Sequence, residues 1–191
     1  MAAASRAGEI GDAKTEALDD RGGAESVLRR LRQARGRSGQ RAGLGRASSG
    51  DATVPVVGST LGLIFVDTNL FAYAVGRPHP LREDAREFFA HALAEQLSLM
   101  TSVEVMQELL HMYLPVRRMD TLDAAYGLIE GRLSQVLPME SEDVRLARLM
   151  ADVYPELDAR DLIHLAVCQR RGIREIKTFD RALDAVARRA L

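Results

Sequence analysis

A short apolar run that ends in an aspartate constrains the fold of this chain most. Residues 61–66 read LGLIFV, and Asp67 follows directly. A continuous apolar run of this length is typical of a central parallel strand that is buried on both faces. A carboxylate at the end of such a strand is costly to bury unless a positive group lies beside it. The sequence therefore predicts a buried strand with a charged side chain at its carboxyl end.

Short strand patterns alternate with helix patterns from here to the end of the chain. Short apolar strands are predicted over 97–100, 134–137 and 174–179, and amphipathic helices lie between them. The predicted helices cover residues 81–93, 103–114, 122–129, 141–152, 159–171 and 180–191. Alternating helices and short strands predict an α/β fold, a three-layer α/β/α sandwich around a short, mainly parallel sheet. Ligands of such sheets bind outside the carboxyl ends of the strands.

The first 60 residues have a different composition. They contain no aromatic residue, hold 10 of the 15 glycines, and carry 10 Arg or Lys against 7 Asp or Glu. Such a segment buries too little apolar surface to offset the entropy lost on ordering. We predict a disordered Arg/Gly/Ser-rich extension over 1–60 and one folded domain over 61–191. An RNA- or partner-binding arm, a fusion remnant and a misassigned start are the alternatives for the extension.

Composition narrows the functional class. A net charge of −1 excludes a strongly basic protein that coats nucleic acid, although a few arginines can still contact RNA locally. Cys168 is the single cysteine, which excludes an internal disulfide and fits a reducing cytosol. No apolar run approaches the roughly 20 residues of a membrane span, and the opening residues lack the apolar stretch of a secretory signal. We predict a cytoplasmic protein without a membrane segment.

Four acidic residues carry the functional signal because each lies near a predicted strand or helix end. They are Asp67, Glu108, Asp161 and Asp180. Carboxylates that converge at one edge of a sheet repel each other unless a divalent metal neutralises them. Three of them have a structural alternative, namely a helix cap for Asp67 and Asp180 and a solvated helix face for Glu108. Together they predict a metal-dependent hydrolase.

Neighbouring acids are assigned to helix caps instead. Residues 101–104 read TSVE, which fits a capping box with Glu104 as its acid. Asp158 is nearer to its helix start than Asp161 and is the better N-cap. Asp184, one turn after Asp180, is an alternative to it or a solvated residue.

Ligand chemistry favours a hard cation. Oxygen-only ligation suits Mg²⁺ or Mn²⁺, and the lone cysteine and scattered histidines lack zinc spacing. His164 stands among Leu162, Ile163 and Leu165, and we interpret it as a satisfied, partly buried histidine, not a ligand. Two such ions about 4 Å apart could activate a water and stabilise the leaving oxygen of a phosphodiester, which is nuclease chemistry.

Three motifs resemble, in order and spacing, the PIN-domain ribonucleases and in particular the VapC toxins of bacterial toxin–antitoxin pairs. They are FVDTNLFAYA, TSVEVMQELLH and ARDLIHLAVCQRRGIREIKTFDRALD, and the resemblance covers residues 61–191. It implies that Asp67, Glu108, Asp161 and Asp180 bind one or two Mg²⁺ or Mn²⁺ ions, with Asn69 and Thr178 as polar supports. It further implies endonucleolytic cleavage of structured RNA such as tRNA or rRNA, a homodimer, and a cognate VapB-like antitoxin.

Two other classes compete with this interpretation. A catalytically inactive PIN-like scaffold that binds RNA or protein is disfavoured, because such a domain has no physical reason to keep repelling carboxylates together. An aspartyl-phosphate phosphatase expects a second Asp two residues after Asp67, where Asn69 stands. A receiver domain needs a lysine after its last strand, but Lys177 lies before the end of that strand.

Overall fold

The computed structural model describes residues 62–191. The predictions for residues 1–60 lie outside this range. Four strands and seven helices alternate along the described residues. None of these helices is long and apolar enough to cross a membrane.

The sheet is parallel throughout. Its strands are β1 (Leu63–Val66), β2 (Ser98–Ser102), β3 (Gln135–Leu137) and β4 (Glu175–Lys177), in the spatial order β3-β2-β1-β4. In register, Phe65 lies between Met100 of β2 and Ile176 of β4. The predicted α/β class with a short, mainly parallel sheet is therefore confirmed.

Strand β1 is central and covered on both faces. Successive residues of a strand point to opposite faces, yet Ile64, Phe65 and Val66 are all buried. Helices must therefore cover both faces of the sheet, as the uninterrupted apolar run predicts. The strand begins after Gly62, whose φ of +101° is a conformation that favours glycine.

Six of the seven helices lie where helices were predicted, and the helix that directly follows Asp67 is additional. They are α1 (Thr68–Val75), α2 (Arg82–Ala94), α3 (Val103–Tyr113), α4 (Met119–Arg132), α5 (Ser141–Met150), α6 (Ala159–Arg170) and α7 (Arg181–Ala190). Helix α6 ends just before Gly172, which adopts a left-handed φ of +66°.

Three aspartates lie at the starts of helices. Asp67, Asp158 and Asp180 are the N-caps of α1, α6 and α7, and each accepts backbone N–H groups of the first turn. The predicted capping box of Thr101 and Glu104 is wrong. Ser102 precedes α3 without a side-chain cap, and the Thr101 hydroxyl donates to the Val66 carbonyl at 2.8 Å, because Thr101 still belongs to β2.

Asp143 at the start of α5 forms ion pairs with Arg170 and Arg171 at the end of α6. The side chain of Asp143 is wholly buried, with its Oδ1 2.6 Å from Arg170 Nη1 and 2.9 Å from Arg171 Nη1. Asp143 also closes a capping box with Glu140 at the start of α5. A buried carboxylate is stable here because two guanidinium groups and a backbone N–H satisfy it.

Candidate metal centre

Asp67 is held rigidly at the carboxyl end of β1. Its backbone N–H donates to the Lys177 carbonyl at 3.1 Å, which continues the pairing of β1 with β4. Its Oδ1 accepts the Thr68 N–H at 2.6 Å, and its Oδ2 accepts Asn69 Nδ2 and the Thr178 hydroxyl, both at 2.6 Å. Only 7% of this residue is exposed, so the hydrogen bonds, and not solvent, determine its orientation.

Asn69 and Thr178 lie where supporting residues were predicted. Asn69 Nδ2 donates to Thr178 Oγ1 at 2.9 Å, and Asn69 Oδ1 accepts the Phe179 N–H at 3.1 Å. Thr178 Oγ1 also accepts the Asp180 N–H at 2.9 Å. The two side chains therefore connect the end of β1 to the segment between β4 and α7.

Glu108 lies on α3 and is buried, so the alternative of a solvated helix face is wrong. Its Oε1 accepts Arg160 Nη1 at 2.6 Å, and its Oε2 accepts the hydroxyl of Thr68. Since the backbone N–H of Thr68 binds Asp67, this residue couples two of the predicted site carboxylates. Nothing in the sequence indicated the link from Thr68 to Glu108, because this contact depends on tertiary structure.

His164 faces these two carboxylates from α6. Its Nε2 lies 3.7 Å from Asp67 Oδ1 and 3.5 Å from Glu108 Oε2. The ring packs on Phe65 with 5.3 Å between ring centroids, and Nδ1 is buried without a hydrogen-bond partner among the described residues. The interpretation of His164 as an ordinary satisfied histidine is therefore wrong. The feature of the sequence that could have indicated this position is that His164 follows Asp161 by about one helical turn.

Asp161 and Asp180 lie beside this group. Asp161 Oδ2 accepts the Asp158 N–H at 3.3 Å, and Asp180 Oδ1 accepts two N–H groups of α7. Burial, together with the nearby charges of Asp158, Asp180 and Asp67, raises the pKa of Asp161 to about 7. Asp161 and Asp180 therefore add negative charge close to Asp67. In residues 62–191, however, the group whose potential ligand atoms all lie within 4.8 Å consists of Asp67, Glu108 and His164.

The electrostatics show an excess of negative charge. Burial raises the pKa of Asp67, against the lowering effects of His164 and Thr178. For Glu108, burial also favours the neutral form, but hydrogen bonds from His164 and Thr68 and the charge of Arg160 bring its pKa below the ordinary value. Burial opposes a charge on His164, yet its contact with Glu108 and the nearby carboxylates raise its pKa. Neighbouring carboxylates therefore help to raise the pKa of both Asp67 and His164.

This donor set fits a divalent cation. Carboxylate oxygens suit Mg²⁺ and Mn²⁺, whereas an imidazole nitrogen is a donor that transition metals accept more readily. A cation among the donors would also offset the carboxylate repulsion that adds to burial in raising the pKa of Asp161. The site lies outside the carboxyl ends of β1 and β4, where open parallel sheets bind their ligands.

The fold and the site define an α/β protein with an acidic centre at the carboxyl edge of a parallel sheet. Residues 64–189 match the family model of the PIN domain. The chain therefore belongs to the PIN-domain family. Relatives that are 55% and 37% identical place it among the VapC ribonucleases, which confirms the resemblance of its motifs.

Two relatives support this placement, and one solved structure supports the fold. Ribonuclease VapC23 of Mycobacterium tuberculosis is 55% identical over 126 residues, 66% of this chain and 99% of that protein. Ribonuclease VapC13 of the same organism is 37% identical over 123 residues, 64% of this chain and 94% of that protein. The crystal structure of M. tuberculosis VapC20, described as a Sarcin-Ricin loop cleaving toxin, superposes with a TM-score of 0.50 at 23% identity, covering 64% of this chain and 94% of that one. This last likeness concerns the fold alone.

Proposed function

We propose that this protein is a divalent-metal-dependent endoribonuclease that acts as the toxin of a toxin–antitoxin pair. The observation that carries the proposal is the buried group of Asp67, Glu108 and His164, whose donor atoms lie within 4.8 Å of one another. The ribonuclease name of a relative with 55% identity supports the reaction class.

Asp67, Glu108, Asp161 and Asp180 are the proposed ligands of Mg²⁺ or Mn²⁺, and Asn69 and Thr178 support them. His164 Nε2 is a further proposed donor, because it lies in one group with Asp67 and Glu108. The chemistry that such an ion supplies when bound is polarisation of a phosphoryl oxygen and activation of a water. The protein contributes preorganisation, because Asn69 Nδ2 and the Thr178 hydroxyl already fix Asp67 Oδ2 at 2.6 Å. Little rearrangement of this carboxylate is then required when substrate binds.

The partners follow from the same proposal. The substrate is structured RNA such as tRNA or rRNA, and its selection depends on surface shape and loops and not on the shared fold. A cognate VapB-like antitoxin would neutralise the site most simply with a basic side chain, since a guanidinium satisfies the same carboxylates. We further propose a homodimer that acts in the cytoplasm, with residues 61–191 as the nuclease domain and 1–60 as a separate extension.

The first test is cleavage of total bacterial RNA by the full chain with Mg²⁺, with Mn²⁺ and with EDTA. Asp67→Asn removes the charge of a proposed ligand but keeps its volume, and Asp123→Asn makes the same change at an exposed position of α4. We expect discrete fragments that require metal, that disappear with Asp67→Asn and that persist with Asp123→Asn. Cleavage in EDTA or by Asp67→Asn would refute the proposed metal centre. RNA binding without any cleavage would instead support an inactive scaffold.

A further inference from the structure

Arg160 brings a positive charge directly onto the acidic centre. Its Nη1 lies 2.6 Å from Glu108 Oε1, and 35% of its side chain is exposed against 10% for Glu108. A guanidinium has five N–H donors, and within residues 62–191 this contact is the one hydrogen bond that its side chain makes. The remaining donors are therefore available to a ligand at the mouth of the site.

The position of Arg160 in its helix argues against a role in helix stability. It is the second residue of α6, where the positive end of the helix dipole disfavours a cation. Asp158 and Asp161 already satisfy the first turn through their capping box. The guanidinium is therefore placed here by its contact with the site carboxylate and not by the needs of the helix.

We propose that Arg160 is a further catalytic residue, whose free N–H groups bind the phosphate that is being cleaved. This inference rests on the proposed ribonuclease function. A phosphodiester gathers negative charge on its phosphoryl oxygens during hydrolysis, and a fixed guanidinium stabilises that charge through paired hydrogen bonds. Glu108 holds the guanidinium in place, so that no ordering of a free surface arginine is needed.

The same contact gives this role a distinctive signature. Because Arg160 neutralises part of the charge on Glu108, its removal leaves a more negative centre that should bind a cation more tightly. Its removal also deletes the donors for the phosphate, so that cleavage should become slower. A residue that served only to position Glu108 would instead weaken cation binding and cleavage together.

The experiment compares full-length wild type with Arg160→Gln and Arg160→Lys. Arg148→Gln is the matched control, because it breaks an ion pair of 3.0 Å with Asp152 in which both side chains are 71% exposed. Mn²⁺ affinity is measured by titration calorimetry without RNA. The initial rate of fragment formation is measured on total bacterial RNA at saturating Mn²⁺, and thermal unfolding is recorded for every variant.

For Arg160→Gln we expect Mn²⁺ binding that is about threefold to tenfold tighter and cleavage that is about 100-fold slower. Arg160→Lys should keep the Mn²⁺ affinity near wild type but recover only part of the rate, because an ammonium lacks the planar fork. Wild-type cleavage by Arg160→Gln, or weaker Mn²⁺ binding together with slower cleavage, would overturn the proposal. A wild-type protein that cleaves no RNA would refute the ribonuclease function itself, and this inference with it.

Discussion

Thr178→Val is the most informative change in the supporting network of the site. The Thr178 hydroxyl donates to Asp67 Oδ2 at 2.6 Å and accepts Asn69 Nδ2 and the Asp180 N–H, both at 2.9 Å. Valine has nearly the same shape but no hydroxyl. The substitution therefore deletes three hydrogen bonds and creates almost no cavity.

The expected loss of stability follows from the hydrogen bonds that each partner of Thr178 loses. Asp67 Oδ2 keeps its bond from Asn69, but the second N–H of that amide and the Asp180 N–H lose their acceptor. An unsatisfied buried donor costs about 1–3 kcal/mol, and a bond to a charged group contributes about 1.5–3 kcal/mol. Thr178 is 9% exposed and Asp180 is half-buried, so that water can compensate in part. We expect the free energy of unfolding to fall by about 2–3 kcal/mol.

Urea denaturation of the full chain at pH 7, followed by circular dichroism, measures this loss. Thr178→Ser is the matched control, since it keeps the hydroxyl and loses one methyl group, which costs about 1 kcal/mol. Mn²⁺ titration of both variants should show about tenfold weaker binding for valine alone, because Asp67 is then less firmly oriented. A valine variant within about 0.5 kcal/mol of wild type, or a serine variant as unstable as valine, would refute the reasoning.

Two further predictions concern other charged residues. Burial favours the neutral form of Asp143, but Arg171, the Glu140 N–H and Arg170 together lower its pKa. Its contribution to stability is therefore full above the unfolded-state pKa of about 3.9 and is lost as the pH falls through the folded value. Urea unfolding should show a stability difference between wild type and Asp143→Asn that is constant from pH 6 to 8 and smaller near pH 3, and a difference that grows in acid would contradict this. For His164→Gln we expect Mn²⁺ affinity to fall more than Mg²⁺ affinity, since imidazole suits transition metals better, and an equal loss in calorimetry would argue that Nε2 is not a ligand.

The sequence was most informative where the relevant contacts are local. Asp67 and Asp180 could be placed because a buried strand followed by a capping aspartate is a signal of a few residues. The resemblance of the motifs implied Asn69 and Thr178 as supports, but it did not indicate the hydrogen bond that joins Thr178 to Asp67 across 111 residues.

Contacts across the fold were the part that could not be predicted. The environment of His164 in the chain is apolar, and nothing local indicates that its Nε2 faces Asp67 and Glu108. The hydrogen bond from Thr68 to Glu108 joins residues that are 40 positions apart, and nothing in the sequence near either residue indicates it. The capping box at Thr101 was wrong for a related reason, since strand pairing keeps that residue in β2 and directs its hydroxyl to Val66.

The acidic centre also shows why structural and functional roles coincide at this edge of the sheet. Asp67 and Asp180 each cap a helix, and Asp161 closes the capping box that begins α6. Backbone N–H groups and helix dipoles hold these carboxylates in place, so that the interactions which start three helices also concentrate negative charge. Substitution by alanine would remove a cap and a candidate ligand together, and a loss of cleavage could not then be assigned. Asparagine caps a helix about as well as aspartate but carries no charge. Asp180 Oδ1 alone accepts the two N–H groups of α7, so that an amide at this position can keep both bonds. Loss of activity in Asp180→Asn with unchanged thermal unfolding would therefore assign the carboxylate charge itself to the reaction.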